Sequence, residues 1–95
     1  MTKKGHIYSG CNVENSSFGL TCCAERVAIF KAVSAGEKDF QAIAVVVQGP
    51  IATPCGACRQ VLAEFGKNIK IIMANVKGDV KISNIQKLLP KAFKV

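Results

Sequence analysis

The sequence predicts an α/β domain in which helices pack on a parallel or mixed sheet. Apolar, β-branched runs alternate with helical segments, and Gly or Pro marks most of the junctions between them. Of the 95 residues, 49% are hydrophobic, which is enough for one modest core. Because alternating strands and helices are typical of a sheet with helices on it, we interpret residues 1–95 as one domain without repeats.

The first half of the chain is predicted to contain a strand, a helix and a second strand. Residues 7–13 are predicted to form a strand that runs into a polar turn. A helix is expected over 23–35, with Thr21 available as its N-cap and Gly36 as its stop. The apolar run at 42–47 predicts a buried strand.

The second half repeats this alternation. Thr53 and Pro54 predict a helix start, and Gly66 ends the helix predicted over 54–65. The apolar run 69–74 predicts another strand, and Gly78-Asp79 predicts a turn. A short final helix is expected over 83–89, broken by a proline at 90.

Three cysteines and a glutamate carry the chemistry of this sequence. Cys23-Ala24-Glu25 and Pro54-Cys55-Gly56-Ala57-Cys58 both lie at predicted helix starts. Catalytic zinc sites take three protein ligands and leave the fourth position to water, and three thiolates satisfy that requirement. Cys23, Cys55 and Cys58 are therefore the predicted zinc ligands, and Glu25 is the predicted proton carrier.

Other interpretations of these cysteines remain open from the residues alone. A single C-x-x-C is also typical of a redox pair or of half a structural zinc site. A structural site needs a fourth protein ligand, which Cys11 could supply. Cys22 would point about 100° away from its neighbour around a helix, so we interpret Cys22, and also Cys11, as small apolar residues.

Four motifs together resemble the small cytidine deaminases. They are Gly10-Cys11-Asn12-Val13-Glu14-Asn15, Cys23-Ala24-Glu25-Arg26, Pro54-Cys55-Gly56-Ala57-Cys58-Arg59-Gln60-Val61-Leu62 and Leu88-Leu89-Pro90-x-Ala92-Phe93. The resemblance runs from about Gly5 to Phe93. It implies a cytidine-deaminase-like three-layer fold with a mixed sheet, and one zinc ion per chain.

The resemblance also implies roles for further residues. Asn12 and Glu14 match a pair that binds the nucleoside ribose, and Ala24 is assigned to the substrate as well. Arg26 matches an arginine that donates to the cysteine sulfurs, and Arg59 is expected to support the second helix. In the family, Phe18 and Phe93 match aromatic positions that help to line a neighbouring subunit's active site.

One departure from the family concerns the start of the chain. Family members usually begin with a helix and a first strand of roughly forty residues, whereas this sequence begins at Met1-Thr2-Lys3-Lys4-Gly5. We therefore expect an N-terminally truncated fold with an uncovered sheet edge, stabilised by self-association. The resemblance makes a homotetramer the expected assembly.

Composition and charge favour a small cytoplasmic domain. Five cysteines, an odd number with metal-like spacing, argue for a reducing compartment rather than a disulfide scaffold. No signal peptide or membrane-spanning run is indicated. The net charge of +7 raises the question of nucleic-acid binding, but the lysines are scattered and no RNA-binding motif is present, so we interpret them as a solvated surface.

The predicted function is zinc-dependent hydrolytic deamination of cytidine or deoxycytidine in pyrimidine salvage. The first alternative is a catalytically degenerate, zinc-binding relative. The second is a blasticidin-type deaminase, which shares C-x-E and P-C-x-x-C, although Asn12-Val13-Glu14-Asn15 favours a plain nucleoside.

Overall fold

The helices and strands begin after a long irregular stretch at the N-terminus of the computed structural model, which describes residues 1–94. Val95, the last residue of the predicted domain, lies outside the described residues. A 3-10 turn at Phe18–Leu20 is followed by helix α1 (Ala24–Ser34), strand β1 (Ala42–Val47), helix α2 (Gly56–Glu64), strand β2 (Lys70–Asn75), strand β3 (Val80–Asn84) and helix α3 (Ile85–Leu88).

The three strands form a mixed sheet in the order β1-β2-β3. β1 and β2 run parallel, with Ala42 opposite Lys70, and α2 provides the crossover between them. β2 and β3 are antiparallel, with Ile72 opposite Ile82. This arrangement confirms the predicted mixed sheet with helices packed on it.

The core lies between the helices and one face of the sheet. Ile71 and Met73 of β2 are almost fully buried there, as is Leu62 of α2. Ile29 and Ala32 of α1 complete the centre of this cluster. On the opposite face of the sheet Val46, Val80 and Ile82 are 63%, 59% and 58% exposed, so the described chain covers only one side of its sheet.

The predicted strand at residues 7–13 is wrong for most of its length. Only Val13 pairs, in a single antiparallel bridge with Cys22, and no residue of 7–12 belongs to a helix or strand. A strand is defined by its ladder, and no neighbouring strand lies beside this segment within residues 1–94.

The end of the chain also differs from the prediction. Residues 80–84 form the third strand, whereas the predicted helix of 83–89 is shortened to 85–88. The Asn84 side chain accepts a hydrogen bond from the Lys87 amide and caps this helix. The predicted turn is confirmed, because Gly78 has a φ of +96° and its amide donates to the Asn75 carbonyl. The short strand after this turn lacks a long apolar run, which is why its sequence was ambiguous.

No helix within residues 1–94 combines the length and the apolar character needed to span a bilayer.

Candidate metal centre

Both predicted metal motifs lie where a helix begins. Cys23 is the N-cap of α1 and Cys55 is the N-cap of α2, each with extended backbone angles. The predictions that Thr21 and Thr53 cap these helices are therefore wrong, and neither cap cysteine makes a side-chain cap hydrogen bond. The cysteine before each first turn takes the capping position instead, which puts both sulfurs beside helix N-termini.

The three predicted ligand sulfurs form one cluster. The Cys23 and Cys55 Sγ atoms are 3.6 Å apart, and the Cys55 and Cys58 Sγ atoms are 3.5 Å apart. Four ligands in a tetrahedron around zinc, with Zn–S distances of about 2.3 Å, would hold sulfurs about 3.8 Å apart. The donor set and its spacing therefore fit a tetrahedral zinc ion with little movement.

The two cysteines of α2 have different electrostatic surroundings. The pKa of Cys55 is lowered by hydrogen bonds that its sulfur accepts from Cys58, mainly from the backbone amide and to a smaller extent from the thiol. Burial raises the pKa of Cys58, whose side chain has no solvent exposure. Because zinc binds thiolates, binding must release the proton that burial favours on Cys58.

The guanidinium of Arg26 contacts the metal cluster. One of its nitrogens donates to Cys23 Sγ at 3.6 Å and to the Thr21 carbonyl at 3.2 Å. Hydrogen bonds to Cys23 and then Cys58 raise the pKa of Arg26, so its positive charge is secure. This contact has the geometry that its predicted role requires, because a cation beside thiolates offsets their negative charge.

Arg59 acts at a distance from the sulfurs. Its Nε donates to the Pro54 carbonyl at 2.7 Å, and its Nη1 donates to the Leu88 carbonyl at 2.8 Å. These bonds join the turn before α2 to the end of α3. The predicted support for the second helix is consistent with this contact to the residue that precedes Cys55.

Glu25 lies in the first turn of α1, two residues after Cys23, and is half-buried. After burial and the hydrogen bond with Cys55, the negative charge of Glu25 is a further cause of the raised pKa of Cys58. A carboxylate on the first turn beside a metal position is suited to moving protons there. Its catalytic role stays a prediction at this point.

Asn12 reaches the start of α1 and supplies a cap that the sequence analysis missed. Its Oδ1 accepts a hydrogen bond from the Ala24 amide at 2.8 Å. The preceding Gly10 makes this approach feasible, since a Cβ there would lie 2.3 Å from the Ala24 carbonyl oxygen and 2.7 Å from the Ala28 amide nitrogen. An Asx side chain twelve residues before a helix carries no local capping signal, so spacing alone could not reveal it.

The other predicted substrate residues lie in the open. Glu14 is exposed, and Phe18 and Phe93 are 88% and 75% exposed. Within residues 1–94, neither ring is packed into the core cluster. Their proposed contacts with a substrate or a neighbouring subunit therefore remain predictions.

The geometry does not support Cys11 as a fourth zinc ligand. In the part of the chain that the structure describes, the only metal-type cluster is Cys23, Cys55 and Cys58. Cys11 is exposed, and Cys22 has its backbone paired with Val13. Three ligands leave one coordination position for a water or substrate, as in catalytic zinc sites.

Comparisons with known proteins identify the family. Residues 1–74 match the model of the cytidine and deoxycytidylate deaminase zinc-binding region. The chain belongs to this family. It is 51% identical to the cytidine deaminase of Sporosarcina psychrophila, and the match covers 98% of this chain and 70% of that protein. It is 48% identical to the cytidine deaminase of Halalkalibacterium halodurans, and that match covers 98% of this chain and 72% of that protein.

A solved structure supports the same assignment. The crystal structure of cytidine deaminase from Burkholderia pseudomallei matches with a TM-score of 0.93 and 47% identity, covering 98% of this chain and 76% of that one. The predicted cytidine-deaminase-like α/β fold is thus confirmed, as is its shorter span relative to the longer relatives. Zinc is the cofactor that the family and the three clustered sulfurs indicate.

Proposed function

We propose that this protein catalyses the zinc-dependent hydrolysis of cytidine or deoxycytidine to uridine or deoxyuridine and ammonia. The observation that carries this proposal is the three-sulfur cluster, with Glu25 on the first turn of the helix that Cys23 caps. Support comes from identities of 51% and 48% to proteins named cytidine deaminase.

The chain's own residues supply positioning and proton transfer. Cys23, Cys55 and Cys58 would hold the zinc, which when bound acts as a Lewis acid and brings the pKa of water toward about 7. In the reaction, the bond from the ring carbon to the amino nitrogen is replaced by a bond to the water oxygen. One water proton goes to the adjacent ring nitrogen and the other leaves with the amino group as ammonia. A Glu25 carboxylate oxygen would accept a proton from water and deliver it to the departing nitrogen.

Asn12 and Glu14 are proposed to bind the sugar of the nucleoside. The Asn12 Oδ1 already accepts from the Ala24 amide, so its Nδ2 is the group left to donate to a hydroxyl. The exposed carboxylate of Glu14 is suited to accept from a second hydroxyl. Ala24 would approach the substrate with its backbone at the start of α1, next to Cys23.

A homo-oligomer, specifically a tetramer, is part of this proposal. Phe18, at 88% exposure, and Phe93, at 75%, are large apolar groups that a neighbouring subunit would cover. The uncovered sheet face with Val46, Val80 and Ile82 offers further apolar surface for association. A cytoplasmic location and a role in pyrimidine salvage belong to the same proposal, because the five cysteines are free thiols.

The test is the loss of cytidine absorbance on incubation with the purified, zinc-loaded protein. Glu25→Gln keeps the shape of the side chain but removes the proton acceptor. We expect it to retain zinc and fold while turnover falls by several orders of magnitude. Glu64→Gln, an exposed change at the far end of α2, is the matched control and should leave turnover unchanged.

Three outcomes would contradict parts of this proposal. Near-normal turnover in Glu25→Gln would remove Glu25 from the mechanism. Zinc-loaded, folded protein without activity on any pyrimidine nucleoside would favour the degenerate zinc-binding alternative. Deamination of blasticidin S but not of cytidine would favour the blasticidin-type alternative. Light scattering across dilution, run beside the assay, tests the tetramer, because an active 10 kDa monomer would overturn it.

A further inference from the structure

The chain beyond α3 leaves the packed part of the protein. Leu89 still packs against the core cluster. Pro90 and Lys91 then form an exposed turn, in which Lys91 has a φ of 55°, a backbone conformation that residues other than glycine rarely adopt. The Phe93 ring that follows is 75% exposed. We refer to residues 90–93 as the tail.

A side chain of α2 holds this tail. Within residues 1–94, no backbone amide of 90–93 donates to another backbone group. Instead, Gln60 Nε2 donates to the Phe93 carbonyl at 3.0 Å. Phe93 is not part of the core cluster, so burial in the core does not fix its position. The Gln60 amide is therefore the contact that determines where the Phe93 backbone lies.

Gln60 belongs to the helix that carries two of the zinc ligands. Cys55 is the N-cap of α2, and Cys58 lies in its first turn. Residues i and i+4 share one face of a helix, so Gln60 lies on the same face as Gly56. Gly56 is exposed and lies between the two cysteines in the chain. The tail is thus attached on the exposed side of the turn that links two zinc ligands.

The neighbouring residue ties the segment before the tail to the same helix. Arg59 Nη1 donates to the Leu88 carbonyl at 2.8 Å, and its Nε donates to the Pro54 carbonyl at 2.7 Å. Helix α2 therefore binds the C-terminal segment at two points, the end of α3 and the tail. The two points differ in what they support, since Arg59 also holds the residue before Cys55, whereas Gln60 donates to the tail.

We propose that Gln60 is a positioning residue for the deaminase site, whose side-chain amide holds Phe93 so that the ring forms an apolar wall for a nucleoside bound in the oligomer. This inference rests on the proposed function. A pyrimidine ring packs favourably on an aromatic ring, and such packing binds the substrate without touching the reacting atoms. Because the zinc ligands and Glu25 lie on α1 and α2, loss of the Gln60 contact should weaken substrate binding and leave the chemical step intact.

The first test is steady-state kinetics of cytidine deamination by the zinc-loaded protein. Gln60→Glu keeps the shape of the side chain but replaces its N–H donor with a carboxylate oxygen, which repels the Phe93 carbonyl. We expect KM to rise about three- to tenfold, the factor that one lost hydrogen bond is worth, with kcat and zinc content unchanged.

Two further variants are the controls for this test. Gln60→Lys, whose ammonium group can donate to the same carbonyl, should restore KM to near the wild-type value. Gln86→Glu is the matched control on α3, because Gln86 Nε2 also donates to a backbone carbonyl, that of Lys67, at 3.3 Å. This variant should leave KM unchanged.

A second measurement follows the tail without turnover. Trypsin cleaves after lysine, and Lys91 is exposed in the turn of the tail. A tail released from Gln60 opens more often, so cleavage after Lys91 should be several-fold faster in Gln60→Glu than in the wild type. Gln60→Lys and Gln86→Glu should be cleaved there at the wild-type rate. Mass spectrometry of the shortened chain measures these rates.

Three results would overturn the proposal. Wild-type cleavage after Lys91 in Gln60→Glu would mean that Gln60 does not hold the tail. Faster cleavage with an unchanged KM would mean that the tail does not reach the substrate. A fall in kcat and zinc content in place of a rise in KM would give Gln60 a structural role alone. If the wild-type protein neither binds nor deaminates cytidine, the proposed function fails, and the cleavage rates distinguish that failure from a failure of the Gln60 contact.

Discussion

The first 23 residues and the remainder of the chain are built in different ways. Residues 24–94 contain all the α-helices and paired strands in the described part of the protein, and they supply the core cluster. Residues 1–23 have one 3-10 turn, two isolated bridges and, in Thr2, a single buried residue. The second region is held by packing, whereas the first is held by a few specific contacts.

The metal centre lies on the boundary between these two regions. Cys23 is the last residue of the irregular region, and Cys55 and Cys58 start α2. Several other contacts across the boundary are hydrogen bonds between groups that are distant in sequence. Asn12 bonds the Ala24 amide, Lys31 donates to the Ser9 carbonyl at 2.6 Å, and Glu37 binds His6 and Tyr8. The comparison teaches that a handful of hydrogen bonds, rather than a packed core, hold residues 1–23 on the rest of the chain.

Removal of one ligand should have the largest effect on this arrangement. Cys58→Ser replaces a buried thiolate ligand, and we expect zinc content to fall from one per chain to below about 0.1, because zinc sites with two remaining thiolates bind weakly. Metal analysis of protein purified without chelator measures the zinc content. Cys22→Ser is the matched control and should keep its zinc. Full zinc in Cys58→Ser would show that the cluster is not the metal site.

A cavity in the packed region should destabilise more than any truncation in the irregular region. Leu62 is 1% exposed and Ile7 is 80% exposed. Leu62→Ala is expected to lower the free energy of unfolding by roughly 2–5 kcal/mol, whereas Ile7→Ala should change it by less than about 0.5 kcal/mol. Urea unfolding of the zinc-loaded protein gives both values. Similar losses in the two variants would mean that residues 1–23 are packed in solution.

An added methyl group at Gly10 tests how tightly the irregular segment lies on α1. A Cβ at Gly10 would be 2.3 Å from the Ala24 carbonyl, whereas a Cβ at Gly19 would meet nothing within 4 Å. Gly10→Ala should cost about 1–3 kcal/mol and displace Asn12 from the Ala24 amide. Gly19→Ala should be neutral by the same unfolding measurement. Hydrogen exchange at the Ala24 amide should be faster in Gly10→Ala but not in Gly19→Ala. Unchanged exchange in Gly10→Ala would argue against the close approach of Gly10 to α1.

The smallest expected effect is a shift in the pH at which acid unfolds the protein. Hydrogen bonding from Tyr8, and then from His6, lowers the pKa of Glu37 to about 2, against an ordinary value of 4.5. A depressed carboxyl pKa contributes stability above the unfolded value, and that contribution is lost as the pH falls from about 5 toward 2. Tyr8→Phe should therefore raise the midpoint pH of acid unfolding, followed by circular dichroism. Glu64→Gln, on the exposed surface, should leave it unchanged.

The sequence was most informative where local pattern and packing agree. The helices after Cys23 and Cys55 and the buried strands at 42–47 and 69–74 were all predictable within one or two residues, because each carries its own periodicity and stop signal. The clustering of Cys23, Cys55 and Cys58 was predictable because each motif lies at a helix start. Their convergence depends on the parallel pairing of β1 with β2, which the alternation of strands and helices indicated.

The missed features depend on partners distant in sequence. Residues 7–12 have strand-like composition, but a strand requires a neighbour that these residues lack within 1–94. The cap on Ala24 comes from Asn12, and the bond from Tyr8 to Glu37 spans 29 positions. Strand β3 was missed because its pairing with β2, rather than its own pattern, determines its structure.

The separation of the zinc ligands has a topological consequence. Cys23 and Cys55 are 32 positions apart, so a metal bound to both closes a loop that contains α1 and β1. Unlike a disulfide, a zinc ion is not held by the unfolded chain, which has no preformed site, so its binding free energy stabilises the folded chain. The zinc that prepares this site for chemistry is therefore also a cross-link, and it ties the order of a small, half-covered sheet to occupancy of its metal centre.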